Sequence, residues 1–326
     1  MGEITLVEAV RLALARAMEE DPHVIVLGED VGADGGVFRA TEGLLQRFGN
    51  MRVRDTPLSE SAIAGVCVGL AAQGFRPVGE IQFMGFIYPA VDQIVSHASR
   101  LRNRTRGRLA CPMVLRAPYG GGIHAPEHHS ESTEAIFAHV PGLKVVIPSS
   151  PSRAYGLLLA AIRDPDPVVF LEPKRIYRAF KEDFADDGSA LDLGRCFTLR
   201  EGDDLTYVTW GAMIMETLAA ADDLAEDGIR AEVIDVATLK PLDADTILRS
   251  VDKTGRLVIV HEAPLTGGFG AEISARVAEG ALASLLAPVR RVTGYDTVMP
   301  LPKMEHHYMP SKVRILKAAR ETMEYA

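Results

Sequence analysis

Cysteine is scarce in this 326-residue chain: the three present, Cys67, Cys111 and Cys196, lie far apart and form no Cys-x-x-Cys pair. That excludes a disulfide framework and a zinc knuckle and points to a reducing compartment. Long hydrophobic runs are missing too, with no apolar stretch of about 18 residues anywhere. Residues 1–20 read as an amphipathic helix with acids, where a signal peptide would carry a basic start and an apolar run. The expected location is the cytoplasm. A basic surplus is also absent: the formal net charge is −9, so no basic face is available to neutralise phosphates. Nucleic acid and membrane surfaces drop out as partners. There is no repeat of solenoid period and no low-complexity tract, which removes arrays and scaffolding linkers.

What is present is ordinary globular composition, 47% hydrophobic and 24% charged. At roughly 100–200 residues per domain, this length predicts two domains. Thr5-Leu6-Val7-Glu8 has capping-box spacing and opens a helix whose apolar stripe is Leu6, Val10, Leu14 and Met18. Strands are expected at 23–28, 78–83, 112–116, 143–148 and 167–171, with helices near 61–73, 87–101, 133–139 and 151–163. Such alternation means an α/β fold with a parallel sheet covered on both faces. It lapses in a charged, weakly periodic stretch and then resumes, with strands at 205–210, 231–236, 256–261 and 288–293 and helices near 212–226, 243–251, 270–283 and 311–323. The division expected is 1–180, a linker at 181–203, and a smaller α/β domain at 204–326.

Asp55-Thr-Pro-Leu-Ser-Glu60 runs straight into the small-residue helix that begins at Ser61. Pro57 and Ser59 break the extended stretch, so Glu60 falls in the first helical turn, where a negative charge complements the dipole. By itself that is an ordinary first-turn acid. Phe83 and Phe86 equally suit a plain strand-to-helix core. The loop Gly120 to Ser130 carries His124, His128 and His129 after three glycines, and Pro126 argues against the helix that a His-x-x-x-His metal pair would need. Asp164 and Asp166 could offer hard oxygen ligands to a cation or simply end a helix and start a strand. Arginines 100, 102, 104, 106 and 108 begin at a helix end, where cations complement the dipole; an acidic partner surface is the alternative. Thr266-Gly-Gly-Phe-Gly-Ala-Glu272 lacks the third glycine of a dinucleotide turn, which favours close helix packing over a nucleotide.

Taken in order, several runs together resemble the β subunit of the thiamine-diphosphate-dependent decarboxylating component of 2-oxo acid dehydrogenase complexes, within the transketolase-like superfamily. They are Asp55–Glu60, Glu80-Ile-Gln-Phe-Met-Gly-Phe86 with Ala90-Val-Asp-Gln93, Gly120–Ser130, Pro141–Pro148, Asp166–Pro173 and Thr266–Glu272. The resemblance covers nearly the whole chain. It implies a pyrimidine-binding α/β domain followed by a transketolase C-terminal-like domain. It implies that Glu60 hydrogen-bonds the aminopyrimidine ring of thiamine diphosphate, that Phe86 packs on that ring, and that Leu58 and Gln82 line the same pocket. It also implies that His129 guides proton or acyl transfer at the thiazolium entrance, and that Ala161, Asp164 and Asp166 can surround a potassium ion.

The Gly-Asp-Gly turn and later Asn that hold the diphosphate through a divalent metal are not found here. In the family that half, with its magnesium, comes from an α subunit, so the resemblance implies an α2β2 heterotetramer that is inactive without α. A lipoyl-bearing dihydrolipoyl acyltransferase would accept the acyl group from a 2-oxo acid. Pyruvate leads the branched-chain 2-oxo acids as substrate; an acetoin dehydrogenase β subunit and a noncatalytic assembly subunit are the alternatives. One departure stands out: the family commonly has Ile-Asp-Leu-Arg-Thr where this chain reads Ile234-Asp-Val-Ala-Thr238, so Ala237 replaces the arginine.

Overall fold

The computed structural model describes residues 2–325. They fall into two compact units, one running to Tyr119 and resuming over Ile136–Leu193, the other made of Gly120–Ala135 and the chain from Gly194 onward.

In the first unit the helix Leu6–Glu20 opens as its capping box requires, with the Thr5 N–H donating to Glu8 Oε2 at 2.8 Å. Strands β1 (Gly2–Ile4) and β8 (Glu182–Phe184) form a small antiparallel pair. The main strands are β2 (Val24–Gly28), β3 (Val53–Asp55), β4 (Arg76–Glu80), β5 (Val114–Tyr119), β6 (Lys144–Val146) and β7 (Val168–Pro173). They run parallel in the order β6-β7-β5-β4-β2-β3. Strands β2, β5 and β7 are buried along their whole length, which explains why they read as apolar runs, interrupted only by Arg116 in β5 and Glu172 in β7. The helix Pro151–Arg163 packs on Leu6–Glu20 and starts with Ser150 as cap and Pro151 in the first turn. After β2 the chain lays β3 on one side and β4 on the other. Such a reversal leaves a crevice beyond the carboxyl ends of β2 and β4, the usual ligand position in an open α/β sheet.

One expected element differs. The single helix read over 87–101 is broken into a 3-10 turn at Met84–Ala90, a wide turn at Gln93–His97 and a short helix at Leu101–Arg104. Pro89 lies inside the first turn, and a residue without an N–H cannot carry a continuous ladder.

The second unit holds β9 (Phe197–Arg200), β10 (Leu205–Thr209), β11 (Ala231–Asp235), β12 (Thr238–Lys240), β13 (Leu257–Pro264) and β14 (Arg290–Gly294). Its five-stranded sheet has the order β14-β13-β10-β11-β9 and is parallel except for β9. The charged stretch 181–203 therefore contains two short strands, β8 and β9, whose exposed positions hide them from a periodicity argument. No helix of the described residues is long and apolar enough to cross a membrane.

Candidate active site

At the carboxyl end of β2, Glu29 and Asp30 follow Gly28 directly, and Asp30 adopts φ +58°. Glu29 is buried, and its Oε1 has no hydrogen-bond partner among the described residues. Burial raises its pKa, the negative charges of Glu60 and Asp30 raise it further, and the Ser59 N–H acts the other way. Glu60 is thus an acid facing a second acid that sequence reasoning overlooked. The available signal was positional: Glu29 ends the first strand of the switch point.

Glu60 sits in the first turn of the helix Glu60–Ala72, as expected, and is half-buried. Gln82 Nε2 donates to Asp30 Oδ2 at 3.2 Å, which brings the end of β4 to the end of β2. An aromatic row extends from there: Phe86 against Phe83 at 5.5 Å, Phe83 against Phe38 at 5.5 Å, and Phe38 against Tyr177 at 5.2 Å. Leu58 is 81% exposed. The helix after Glu60 is apolar on every side, yet it leaves Ser61, Ala62, Val66 and Gly69 exposed. A helix apolar all round normally belongs inside a larger assembly.

One register position along, the charges are answered. Arg116 donates to Glu172 at 2.6 and 2.9 Å and to Glu80 at 2.7 Å, and Tyr177 donates to Glu172 at 2.5 Å, all fully buried. Burial raises the pKa of Glu80 and the Arg116 charge lowers it, while Tyr177 is pushed well above its ordinary value.

Ala161, Asp164 and Asp166 lie together at the end of Pro151–Arg163, where the Asp164 N–H caps Ala161 O at 3.3 Å. Lys144 Nζ bonds the Asp164 carboxylate, and Arg102 Nε donates to Asp166 at 2.6 Å. Arg76 donates to the carbonyls of Ile162 and Asp164 at 2.9 and 3.3 Å. Protein cations already meet the Asp164 and Asp166 carboxylates and the Asp164 carbonyl. Arg100, Arg104 and Arg108 donate to the carbonyls of Val95, Ser96 and Thr105, as arginines at a helix end do.

The histidine loop belongs to the second unit. Gly121 N–H donates to Glu262 at 2.8 Å, and Gly122 and His124 N–H donate to the two oxygens of Glu305 at 2.6 and 2.8 Å. Gly120, at φ +85°, must be glycine, because a Cβ there would lie 2.6 Å from the Glu262 carboxylate. His129 ends a 3-10 turn at Glu127–His129 and is half-buried. Gly268 and Gly270 serve packing, since a Cβ would stand 2.7 Å from His261 Cε1 on the first and 2.8 Å from His261 Nε2 on the second, while Gly267 takes φ +70° in open space. Ala237, in the departure from the family pattern, is buried at φ +52°, with its N–H on Asp235 at 3.1 Å.

A planar base with a basic ring nitrogen needs a carboxyl able to hold a proton and flat apolar neighbours. The Glu29–Glu60 pair, with its orphaned buried oxygen, and the Phe83–Phe86 pair meet both needs. Residues 2–179 match the family described as transketolase, pyrimidine binding domain, and residues 194–315 match transketolase, C-terminal domain. The chain is 48% identical to the pyruvate dehydrogenase E1 component subunit beta of Bacillus subtilis (strain 168), over 100% of both chains. The chain belongs to this E1 β-subunit family. The same subunit of Staphylococcus epidermidis and of Staphylococcus aureus is 46% identical, again over 100% of both chains. A solved structure described as a split gene transketolase, inactive beta4 tetramer, superposes with a TM-score of 0.81 over 99% of each chain; at 24% identity it shows the fold alone. E1 β subunits are components of 2-oxo acid dehydrogenases, and the family depends on thiamine diphosphate.

Proposed function

We propose that this chain supplies the pyrimidine side of a thiamine-diphosphate site completed by an α subunit. The α2β2 enzyme, cytoplasmic in location, decarboxylates pyruvate oxidatively and passes the acyl group to a lipoyl-bearing dihydrolipoyl acyltransferase. The observation that carries this reading is the un-neutralised acid pair Glu29 and Glu60 at the strand reversal. When bound, the cofactor supplies the carbon nucleophile that labilises the bond beside the 2-oxo group. Glu60 hydrogen-bonds the pyrimidine ring, and Glu29 stands beside it with its proton affinity raised by burial and by the Glu60 charge. Phe86 and Leu58 flank the ring, with Gln82 orienting Asp30, and His129 serves the transfer of the acyl group. Magnesium is held by the α subunit. The full-length identity to pyruvate-type subunits favours pyruvate over branched-chain 2-oxo acids.

The test reconstitutes the chain with its cognate α subunit and assays pyruvate, branched-chain 2-oxo acids and acetoin side by side. Glu60→Ala is expected to assemble normally, yet lose cofactor binding and decarboxylation. Near-normal turnover by a correctly assembled Glu60→Ala enzyme refutes the role of Glu60; preferential cleavage of acetoin refutes the substrate assignment.

A further inference from the structure

The histidine loop is held by an unusual number of buried acids. Glu262 and Glu305 are each 2% exposed, and Glu134, just past the loop, is fully buried. Glu305 takes the Gly122 and His124 amides at 2.6 and 2.8 Å and stands 3.3 Å from His124 Nδ1. Glu262 takes the Gly121 amide at 2.8 Å, and Glu134 takes the Trp210 indole N–H at 3.2 Å. The Gly120 N–H closes the neck of the loop on Glu131 O at 3.0 Å. Met299 and Met309 wall in Gly121, where a Cβ would meet Met299 Cε at 2.6 Å and Met309 Sδ at 3.1 Å.

Burying a carboxylate is unfavourable unless strong donors answer it, and here the donors are successive amides of one glycine-rich loop. A loop of three glycines has many conformations open to it when nothing holds it. The two carboxylates select one, and so fix the path by which the chain enters the 3-10 turn that ends in His129.

We propose that Glu305, backed by Glu262, is a positioning residue for acyl transfer: it latches the histidine loop in the conformation that receives the lipoyl group. This rests on the functional reading of His129 given above. It assigns to the C-terminal part of the chain a part in the reaction beyond assembly, carried through the loop without contact with substrate.

The experiment uses the reconstituted α2β2 enzyme with Glu305→Gln and Glu305→Ala, assembly being checked by gel filtration. Two acceptors are compared: an isolated lipoyl domain, and an artificial dye that reoxidises the enzyme without entering through the loop. Loss of a charge-assisted bond predicts a fall of about tenfold or more in lipoyl-domain acylation, with the dye-linked rate within about twofold of wild type. Faster deuterium uptake by amides 121–124 is expected alongside, and Glu305→Gln should be milder than Glu305→Ala. Should Glu305→Ala fail to assemble, Glu305→Gln decides alone. Acylation within twofold of wild type, or equal losses with both acceptors, overturns the latch. His129→Ala, measured in parallel, tests the underlying reading separately: an unimpaired His129→Ala removes the role of that histidine, whereas an impaired His129→Ala beside a neutral Glu305→Gln removes the latch alone. A loss selective for the lipoyl acceptor in Glu305→Gln sustains the latch in either case.

Discussion

The acids at the strand ends of the first unit and those under the histidine loop of the second are treated in opposite ways. Glu29, Glu60 and Asp30 gather with no cation among the described residues answering Glu29, so the charges of Glu60 and Asp30 raise the proton affinity of Glu29. Glu262 and Glu305 are more deeply buried, yet each receives backbone N–H donors at hydrogen-bond distance. The Arg116 cluster solves the same problem with a full cation. Burial alone therefore does not mark a reactive carboxylate. What marks it is burial with no cation to answer the charge, which raises the proton affinity of Glu29.

The contrast can be broken by removing what answers a charge. Arg116→Met leaves Glu80 and Glu172 buried without their cation and should cost about 3–5 kcal/mol in denaturant unfolding of the assembled enzyme. Tolerance of that substitution with under about 1 kcal/mol lost would show that the cluster is not a paired structural unit.

A second probe is His261, fully buried and stacked on Trp210 at 5.1 Å. Burial chiefly, and the Arg291 charge secondarily, lower its pKa to about 4. The folded state thus resists protonation that the unfolded state accepts below about 6.5. Stability is fully present above that value and falls as the pH drops toward 4, by about 3 kcal/mol from this group. His261→Phe should flatten that part of the profile; an unchanged acid slope contradicts it.

Gly120→Ala sharpens the comparison at the latch itself. Positive φ and the approach to Glu262 predict about 1–3 kcal/mol of destabilisation, read as a lower melting midpoint. Smallest of all is Glu29→Gln. Because its folded pKa is raised, Glu29 penalises folding as the pH rises above its ordinary value; the glutamine should gain slightly in stability at pH 7 and nothing below about pH 4.5. A loss of stability at pH 7 would place Glu29 among the answered acids.

Much of the architecture was legible because it rests on local rules. The helix at 151–163 carries a serine cap, a first-turn proline and an apolar stripe, and all three are sequence features. The strand β2 is a continuous apolar run, and β5 and β7 are apolar but for Arg116 and Glu172, because both faces are covered. Residues 87–101 misled because periodicity outweighed Pro89. The first-turn position of Glu60 followed from Pro57 and Ser59. Glu29 did not stand out, since an acid after a strand carries no pattern of its own.

By itself, the order of apolar runs, caps and breakers determined two α/β units, the helical setting of Glu60, and the family resemblance, because each depends on residues near in the chain. Only the tertiary structure decided which acids keep company. Glu29 lies 31 positions from Glu60, and Glu305 lies 181 from His124 and 183 from Gly122; the fold brings each pair together. The proton affinity of a carboxylate is set by the charges and donors within a few ångströms of it, and those are chosen by packing, not by sequence distance.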